Sequence, residues 1–410
     1  MTADPRPLPS PTGELVVERR PQRANSPLQG WDGADRLLLE WLADDASVGE
    51  DDAASGGRAR PVWVLNDRFG ALTIGAAVLA GGAVVSLSDS ITAREALRSN
   101  LAANAVPTER VVSVAPFASA VEAALAASGT PTAVIGRFPH SHSLLDHQLA
   151  LVVPHLTPGT PVALGVMAKQ LRRPHVERLE PILGPATVSL ARHKARIVHF
   201  EAGPLEPVGD APEAGYRTEP VDGIPAITTV ALPGVFSRDR LDPGARVLLR
   251  YLPALLGGTD DETASVVDLG CGNGVLSAAV GLLLPEVHVT MVDESHLATA
   301  SARATIEANG LDPSRFVDLA ADRLHALAAS SVDLVVCNPP FHQDQVTGDE
   351  VAWNMFHDAR RVLRPTGQLV VVGNRHLGHH ARLKRLFAQV DTVSADPKFV
   401  VHVARSTAAK

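Results

Sequence analysis

The feature that most constrains this chain of 410 residues is that its pattern is written twice. Residues Val62 to Val114 run through an apolar strand, a tight turn, a helix, a strand ending near Asp89, a helix ending at Asn104 and a further strand. From Ser265 the same order returns, with Asp293 standing for Asp89 and Asn309 for Asn104. Later, Thr132 to His142 parallels Val332 to His342, and each is followed by a helix, a Pro-Gly or Pro-Thr-Gly turn and an apolar strand. The offset stays near 200 residues throughout, too regular for coincidence. Strands that alternate with helices of this length imply a duplicated βαβ architecture, each copy a mostly parallel sheet covered by helices.

Composition agrees with a globular α/β chain. Hydrophobic residues make up 45% and charged residues 20%, which is far from the disordered range. Two cysteines, Cys271 and Cys337, allow at most one bridge, so a reducing, cytoplasmic setting is expected. The longest apolar run, Ala76 to Leu87, contains two glycines and falls well short of the ~20 residues that cross a bilayer. No membrane partner and no metal are therefore expected. The histidines His140, His142 and His147 read as loop residues, and His376, His379 and His380 as part of a basic C-terminal face. The net charge is -8, yet Arg360 to Lys410 carries a balance of +8 and Lys169 to Val198 one of +5. Two basic segments on an acidic chain could make a footprint for phosphates.

Two motifs carry chemistry. The first runs from Val266 to Gly274: a β-branched run ends in Asp268, and Gly270, Gly272 and Gly274 follow before a helix begins. Such a turn lets backbone approach a ligand at the carboxyl end of a parallel strand. The next strand ends in Asp293, 25 residues after Asp268, where a carboxylate can accept from ribose hydroxyls. A third ends near Asp322, placed to read an adenine amino group. Three acids at one sheet edge exceed what helix capping alone would ask. The second motif is Asn338-Pro339-Pro340-Phe341, followed by His342. Its prolines remove two donors and stiffen the chain, leaving the Asn338 oxygen and nearby carbonyls as acceptors for an N–H₂ group. A ring-conjugated amine is a poor nucleophile, so hydrogen bonds that hold and orient it supply most of the rate. Phe341 can stack on a base, and His342 could orient a base or phosphate.

Together with Leu232 to Asp242, these motifs resemble the bacterial rRNA guanine 2-amino methyltransferases, the family that includes RsmC and RlmG. The likeness is specific over Ala231 to Val403 and architectural over Pro61 to Phe200. It implies an α/β fold of two tandem Rossmann-like methyltransferase domains, each a seven-stranded, mostly parallel sheet with helices on both faces, the N-terminal copy degenerate. It also implies S-adenosylmethionine as donor and a guanine of ribosomal RNA, free or in a ribosomal subunit, as acceptor, with 16S rRNA placed ahead of 23S. By position, Asp268, Gly270 and Gly272 would line the cofactor, Asp293 its ribose and Asp322 its adenine. Phe236 would close over it, and Asn338 to Phe341 would hold the base.

The expected division is an extension over 1–58, the degenerate copy over 59–200, a Pro- and Gly-rich linker over 201–230 and the catalytic domain over 231–410. In the first copy Arg68 and Phe69 stand in the turn where glycines are needed, and Arg137-Phe138-Pro139 replaces Asn-Pro-Pro. That copy is expected to bind no cofactor and to grip RNA through Arg172, Arg173, Arg192, Lys194 and Arg196. Two other readings stay open: a protein glutamine or small-molecule amine as acceptor, and a non-catalytic RNA-binding or assembly factor.

Overall fold

The computed structural model describes residues 6–20, 29–44, 61–80, 82–139, 141–202, 214–221, 223–257, 264–340, 345–394 and 396–406. The chain divides into two compact units, Met1–Ala211 and Pro212–Lys410.

In the first unit a hairpin, β1 (Leu8–Ser10) and β2 (Gly13–Leu15), precedes helix α1 (Gly33–Asp44). Then come β3 (Val62–Leu65), α2 (Ala71–Leu79), β4 (Val84–Leu87), α3 (Ile91–Ala103), β5 (Val111–Val114), α4 (Ala118–Ser128), β6 (Ala133–Arg137) and α5 (His142–Val152). The unit closes with β7 (Pro161–Met167), α6 (Arg173–Leu183), β8 (Ala186–Val188) and β9 (Ala195–Glu201). Its seven-stranded sheet has the order β5-β4-β3-β6-β7-β9-β8.

The second unit repeats this plan. Its elements are α7 (Pro243–Leu256), β10 (Ser265–Leu269), α8 (Val275–Leu283), β11 (His288–Asp293), α9 (His296–Ala308), β12 (Phe316–Ala320), β13 (Val332–Cys337) and α10 (Gln345–Val362). They are followed by β14 (Leu363–Asn374), α11 (His379–Leu383), β15 (Gln389–Thr392) and β16 (Phe399–Arg405). The order β12-β11-β10-β13-β14-β16-β15 matches the first sheet strand for strand. In both sheets the first five strands pair in parallel and the last two in antiparallel. Central strands β3 and β4 are buried along their whole length, which is why β3 reads as an unbroken apolar run and β4 as one interrupted only by Ser86, neither alternating.

The duplication extends further than the strands. Asn104 accepts from the Val16 backbone N–H at 2.8 Å and donates to the Val16 carbonyl at 2.7 Å. Asn309 makes the same pair with Thr228, at 3.0 and 2.7 Å. One amide side chain thus imitates a strand partner and clips an N-terminal hairpin onto a helix end in each unit. Residues 8–18 are therefore part of the first unit, and Leu37, Leu38, Leu39 and Leu42 of α1 lie in its core. In the second unit, residues 214–221 pair back onto residues 223–231 through Ala214–Ala231, Arg217–Thr228 and Val221–Ile224. The segment is bonded to α9 where the Val230 N–H donates to Thr305 Oγ1 and the following Leu232 N–H to Ser301 Oγ.

Register corrects one expected correspondence. Leu65 pairs with Leu87 as Leu269 pairs with Val292, so Ser88, not Asp89, occupies the place of Asp293. Ser88 even repeats its local bond: the Ser90 N–H donates to Ser88 Oγ as the Ser295 N–H donates to Asp293 Oδ1. The first unit therefore has no acid at that position.

Both turns end in a left-handed glycine that opens the next helix, Gly70 (φ 91°) and Gly274 (φ 77°). A Cβ on Gly274 would lie 2.6 Å from Ala302 Cα, so α8 and α9 touch through the glycine. Gly274→Ala combines a disfavoured φ with this overlap and should destabilise by roughly 2–4 kcal/mol. A urea midpoint that does not move would show that the helices can separate at little cost.

Candidate active site

The carboxyl ends of β10, β11, β12 and β13 lie at one edge of the second sheet, where β10 sits between β11 and β13. Chain direction on either side of β10 makes this the crevice in which doubly wound sheets take ligands.

Asp268 lies in β10 and is fully buried. Its Oδ2 accepts from Ser277 Oγ at 2.6 Å, and its Oδ1 is buried with no hydrogen-bond partner among the described residues. Burial pushes this carboxyl up to about 7, helped by the nearby charge of Asp293 and opposed by the Ser277 hydroxyl. Gly270 (φ 80°) and Gly272 (φ 53°) both take left-handed backbone. The N–H groups of Gly270 and Cys271 bond the Val292 carbonyl at 2.8 and 3.0 Å, which pins the turn over the end of β11. Among the described residues nothing lies within 4 Å of where a Gly272 Cβ would stand, which leaves room beside the turn for a ligand.

Asp293 holds the turn from the next strand. Its Oδ2 accepts from the Gly272 N–H at 3.0 Å and its Oδ1 from the Ser295 N–H at 3.0 Å. Burial raises its carboxyl too, and backbone donors offset part of the rise. The third strand is tied to the second by the Ala321 N–H, which donates to the Asp293 carbonyl at 2.8 Å. Asp322 comes next, and its neighbour Arg323 forks onto the buried Asp358 carboxylate at 2.6 and 2.7 Å. That pair fixes the segment carrying Asp322 against α10. The three acids expected at one edge are thus brought together.

Asn338 follows β13. Its Nδ2 donates to Asp242 Oδ2 at 3.1 Å, while its Oδ1 is buried without a partner among the described residues. Pro339 is buried and Pro340 exposed. Phe341 and His342 lie outside the described residues, as does His140. Phe236 is 58% exposed, and its loop is tied to the glycine turn because Asn273 Nδ2 donates to the Ser237 carbonyl at 3.2 Å. Both cysteines are buried and free, and burial pushes their thiols well up, so neither is a nucleophile. The described residues contain no group of three or more potential metal ligands. No helix among them is long and apolar enough to cross a membrane. His379 is not on the basic face: it is buried, edge-on to Phe356 at 5.3 Å between centroids.

Sequence reasoning missed Asp242, Asn273 and Asp358. Asp242-Pro243-Gly244 reads as a helix start, with an acceptor at the cap and proline at the first helical position. Its partner lies 96 residues away and leaves no local trace.

The corresponding edge of the first unit carries different side chains. Gly70 matches Gly274, so Asn66 stands at the place of Gly270 and Arg68 at that of Gly272. Arg137 takes the place of Asn338, because Leu65 pairs with Gly136 as Leu269 pairs with Cys337. Its guanidinium is held by Asp32 and Asp35 at 2.6–2.7 Å.

An open glycine turn, buried acids beside it and a rigid Asn-Pro-Pro define a class I methyltransferase site. The donor set suits the cofactor of that class, S-adenosylmethionine, whose cationic and hydroxyl-rich surface needs acceptors. Family comparisons agree. Residues 226–403 match the methyltransferase small domain and residues 6–204 the RLMG N-terminal domain. Over 401 residues the chain is 43% identical to the ribosomal RNA large subunit methyltransferase G of Pseudomonas putida, covering 97% of this chain and 99% of that protein. The Pseudomonas entomophila protein of the same name is 42% identical over 399 residues, covering 97% and 98%. Among solved structures, the T. thermophilus 16S rRNA N2 methyltransferase RsmC, in complex with AdoMet and guanosine, matches with a TM-score of 0.72 at 23% identity, covering 98% and 97%. The chain belongs to the ribosomal RNA large subunit methyltransferase G family.

Asp268 makes the stability of this unit depend on pH. Its folded-state value near 7 lies above the unfolded value near 4, so between these the native state keeps a proton that the unfolded chain has released. Stability should therefore fall as pH rises through that window, by up to about 1.4 kcal/mol per pH unit from this group. Asp268→Asn should remove that slope. Denaturation of both proteins without cofactor from pH 4.5 to 7.5 checks it, and parallel curves would refute the assignment.

Proposed function

We propose that this chain transfers the methyl group of S-adenosylmethionine to the exocyclic 2-amino group of a guanine in large-subunit ribosomal RNA. Sequence reading alone placed 16S rRNA ahead of 23S; the relatives carry large-subunit names, and the proposal follows them. The observation that carries it is the Asn338 amide, with Nδ2 engaged by Asp242 and Oδ1 buried and unspent. A buried carbonyl oxygen left without a donor costs about 1–3 kcal/mol. A substrate N–H₂ group would recover that cost. The oxygen is covered, so a base must displace its cover on entry.

When bound, S-adenosylmethionine supplies an electrophilic methyl. Asp293 would take its ribose hydroxyls, Asp322 its adenine amine and the Gly270–Gly272 backbone its amino-acid end, with Phe236 folding over it. Asn338 Oδ1 and the Pro339 carbonyl would each accept one proton of the guanine amine. That fixes the nitrogen lone pair toward the methyl and returns electron density to it. One amine proton is then lost to water, and no strong base is needed because orientation provides most of the rate. Phe341 is the candidate stacking partner for the base. In the first unit, Arg172, Arg173 and Arg196 border a groove with Glu177 and Glu180. With exposed Arg192 and Lys194, these residues would grip RNA phosphates.

Transfer of labelled methyl to large and small ribosomal subunits from a strain lacking the protein, followed by nucleoside analysis, should yield 2-methylguanosine in the large subunit. Label in the small subunit alone would overturn the acceptor, and label on protein would favour the glutamine reading. Asn338→Ala should cut turnover roughly a hundredfold with cofactor affinity near normal. Asp293→Ala should instead weaken cofactor binding in calorimetry, by roughly tenfold or more for a lost charged hydrogen bond. Unchanged affinity would place the ribose elsewhere.

A further inference from the structure

The structure assigns Asp242 as the positioning residue of the methyl-transfer site: it sets which end of the Asn338 amide faces the acceptor amine. The inference rests on the reading of Asn338 given above and deepens it.

An asparagine side chain presents an acceptor at one end and a donor at the other, and nothing intrinsic selects between them. A donor aimed at the amine would repel its protons. At Asn338 the choice is made by a carboxylate, which can only accept. Asp242 Oδ2 takes the Asn338 Nδ2 proton at 3.1 Å, so the oxygen must occupy the other end. The same Oδ2 accepts from the Ala245 N–H at 2.9 Å, capping α7. The cap anchors the carboxylate, and the carboxylate anchors the amide. Gly244 leaves room for the arrangement: a Cβ there would lie 2.9 Å from Asp242 Oδ2 and 3.4 Å from Asn338 Oδ1.

The first unit supplies an independent observation. Asp32 holds the place of Asp242, since its carbonyl accepts from the Arg36 N–H as that of Asp242 accepts from the Arg246 N–H. Asp32 is bonded to Arg137, the residue at the place of Asn338. An acid at the helix start grips the residue at the end of the fourth strand in both copies, although what it grips has changed from an amide to a guanidinium. Helix capping alone does not require that grip.

Three variants separate positioning from capping. Asp242→Ser keeps a cap acceptor but is too short to reach Asn338, and turnover should fall roughly ten- to a hundredfold with cofactor affinity and melting temperature near wild type. Asp242→Asn can place an amide oxygen where Oδ2 alone now makes both bonds, and should recover activity to within a few-fold. Gly244→Ala drives a methyl against the pair and should lower kcat as Asp242→Ser does. It decides the matter alone if Asp242→Ser does not fold. Wild-type kcat in Asp242→Ser or in Gly244→Ala, beside an impaired Asn338→Ala, would reduce Asp242 to a helix cap. Wild-type kcat in Asn338→Ala as well would instead overturn the reading of Asn338 itself.

Discussion

Strand β10 is hydrogen-bonded in parallel to β11 on one side and to β13 on the other, with Leu269 level with both Val292 and Cys337. Parallel pairing makes all three chains leave the sheet in the same direction, so the turn after Leu269, the acid Asp293 and the amide Asn338 emerge at one edge. Each then has a partner across that edge. Asp293 is bonded to the Gly272 N–H of the turn, and the turn's own N–H groups are bonded to Val292. A shift of one residue in either ladder would send each of these side chains to the opposite face. Register, more than any single contact, therefore builds the site.

The edge is costly to maintain. Asp268 and Asp293 are buried carboxyls raised by burial, and Asp268 Oδ1 and Asn338 Oδ1 carry unspent hydrogen-bonding capacity. The first unit also buries an acid in its turn, but spends that acid's hydrogen-bonding capacity. The acid of its turn is Asp67, buried and pushed up to about 6, whose oxygens are satisfied by the Gly70 and Thr73 N–H groups and the Thr73 hydroxyl. Its serine at the Asp293 position is neutral, and Arg137 fills the strand end with a paired charge. Removing one partner of such a pair is severe, roughly 3–5 kcal/mol, so Arg137 is held at this strand end by Asp32 and Asp35.

Much of this was legible because it is local or periodic. The two mostly parallel sheets and the acid-ended strands follow from apolar runs and glycine turns at a fixed offset, whereas the order of the strands comes from the structure. The Asn-Pro-Pro motif stands out because prolines at a strand end are rare. What was not legible depends on one-residue register or on partners distant in sequence. Asp89 lies one residue beyond the place of Asp293, and only pairing with β3 reveals it. His379 looked like one of a basic cluster, yet the end of β14 turns it inward against Phe356. Asp242 could be read as a helix cap but not as the partner of Asn338.

The contrast between the two strand ends suggests how such a site is lost. In both copies an acid at a helix start faces the residue at the end of the fourth strand. With asparagine there, the acid spends one interaction and leaves an oxygen for a ligand. With arginine there, the guanidinium has donors enough for Asp32 and Asp35 together and no acceptor to offer an amine. One substitution of an amide by a cation would thus convert an acceptor site into a structural ion pair, after which the glycines of the turn are no longer held by a ligand. Arg68 fits that change at one position only: it has left the left-handed backbone that Gly272 takes (φ 53°), while Asn66, at the place of Gly270, keeps it (φ 58°).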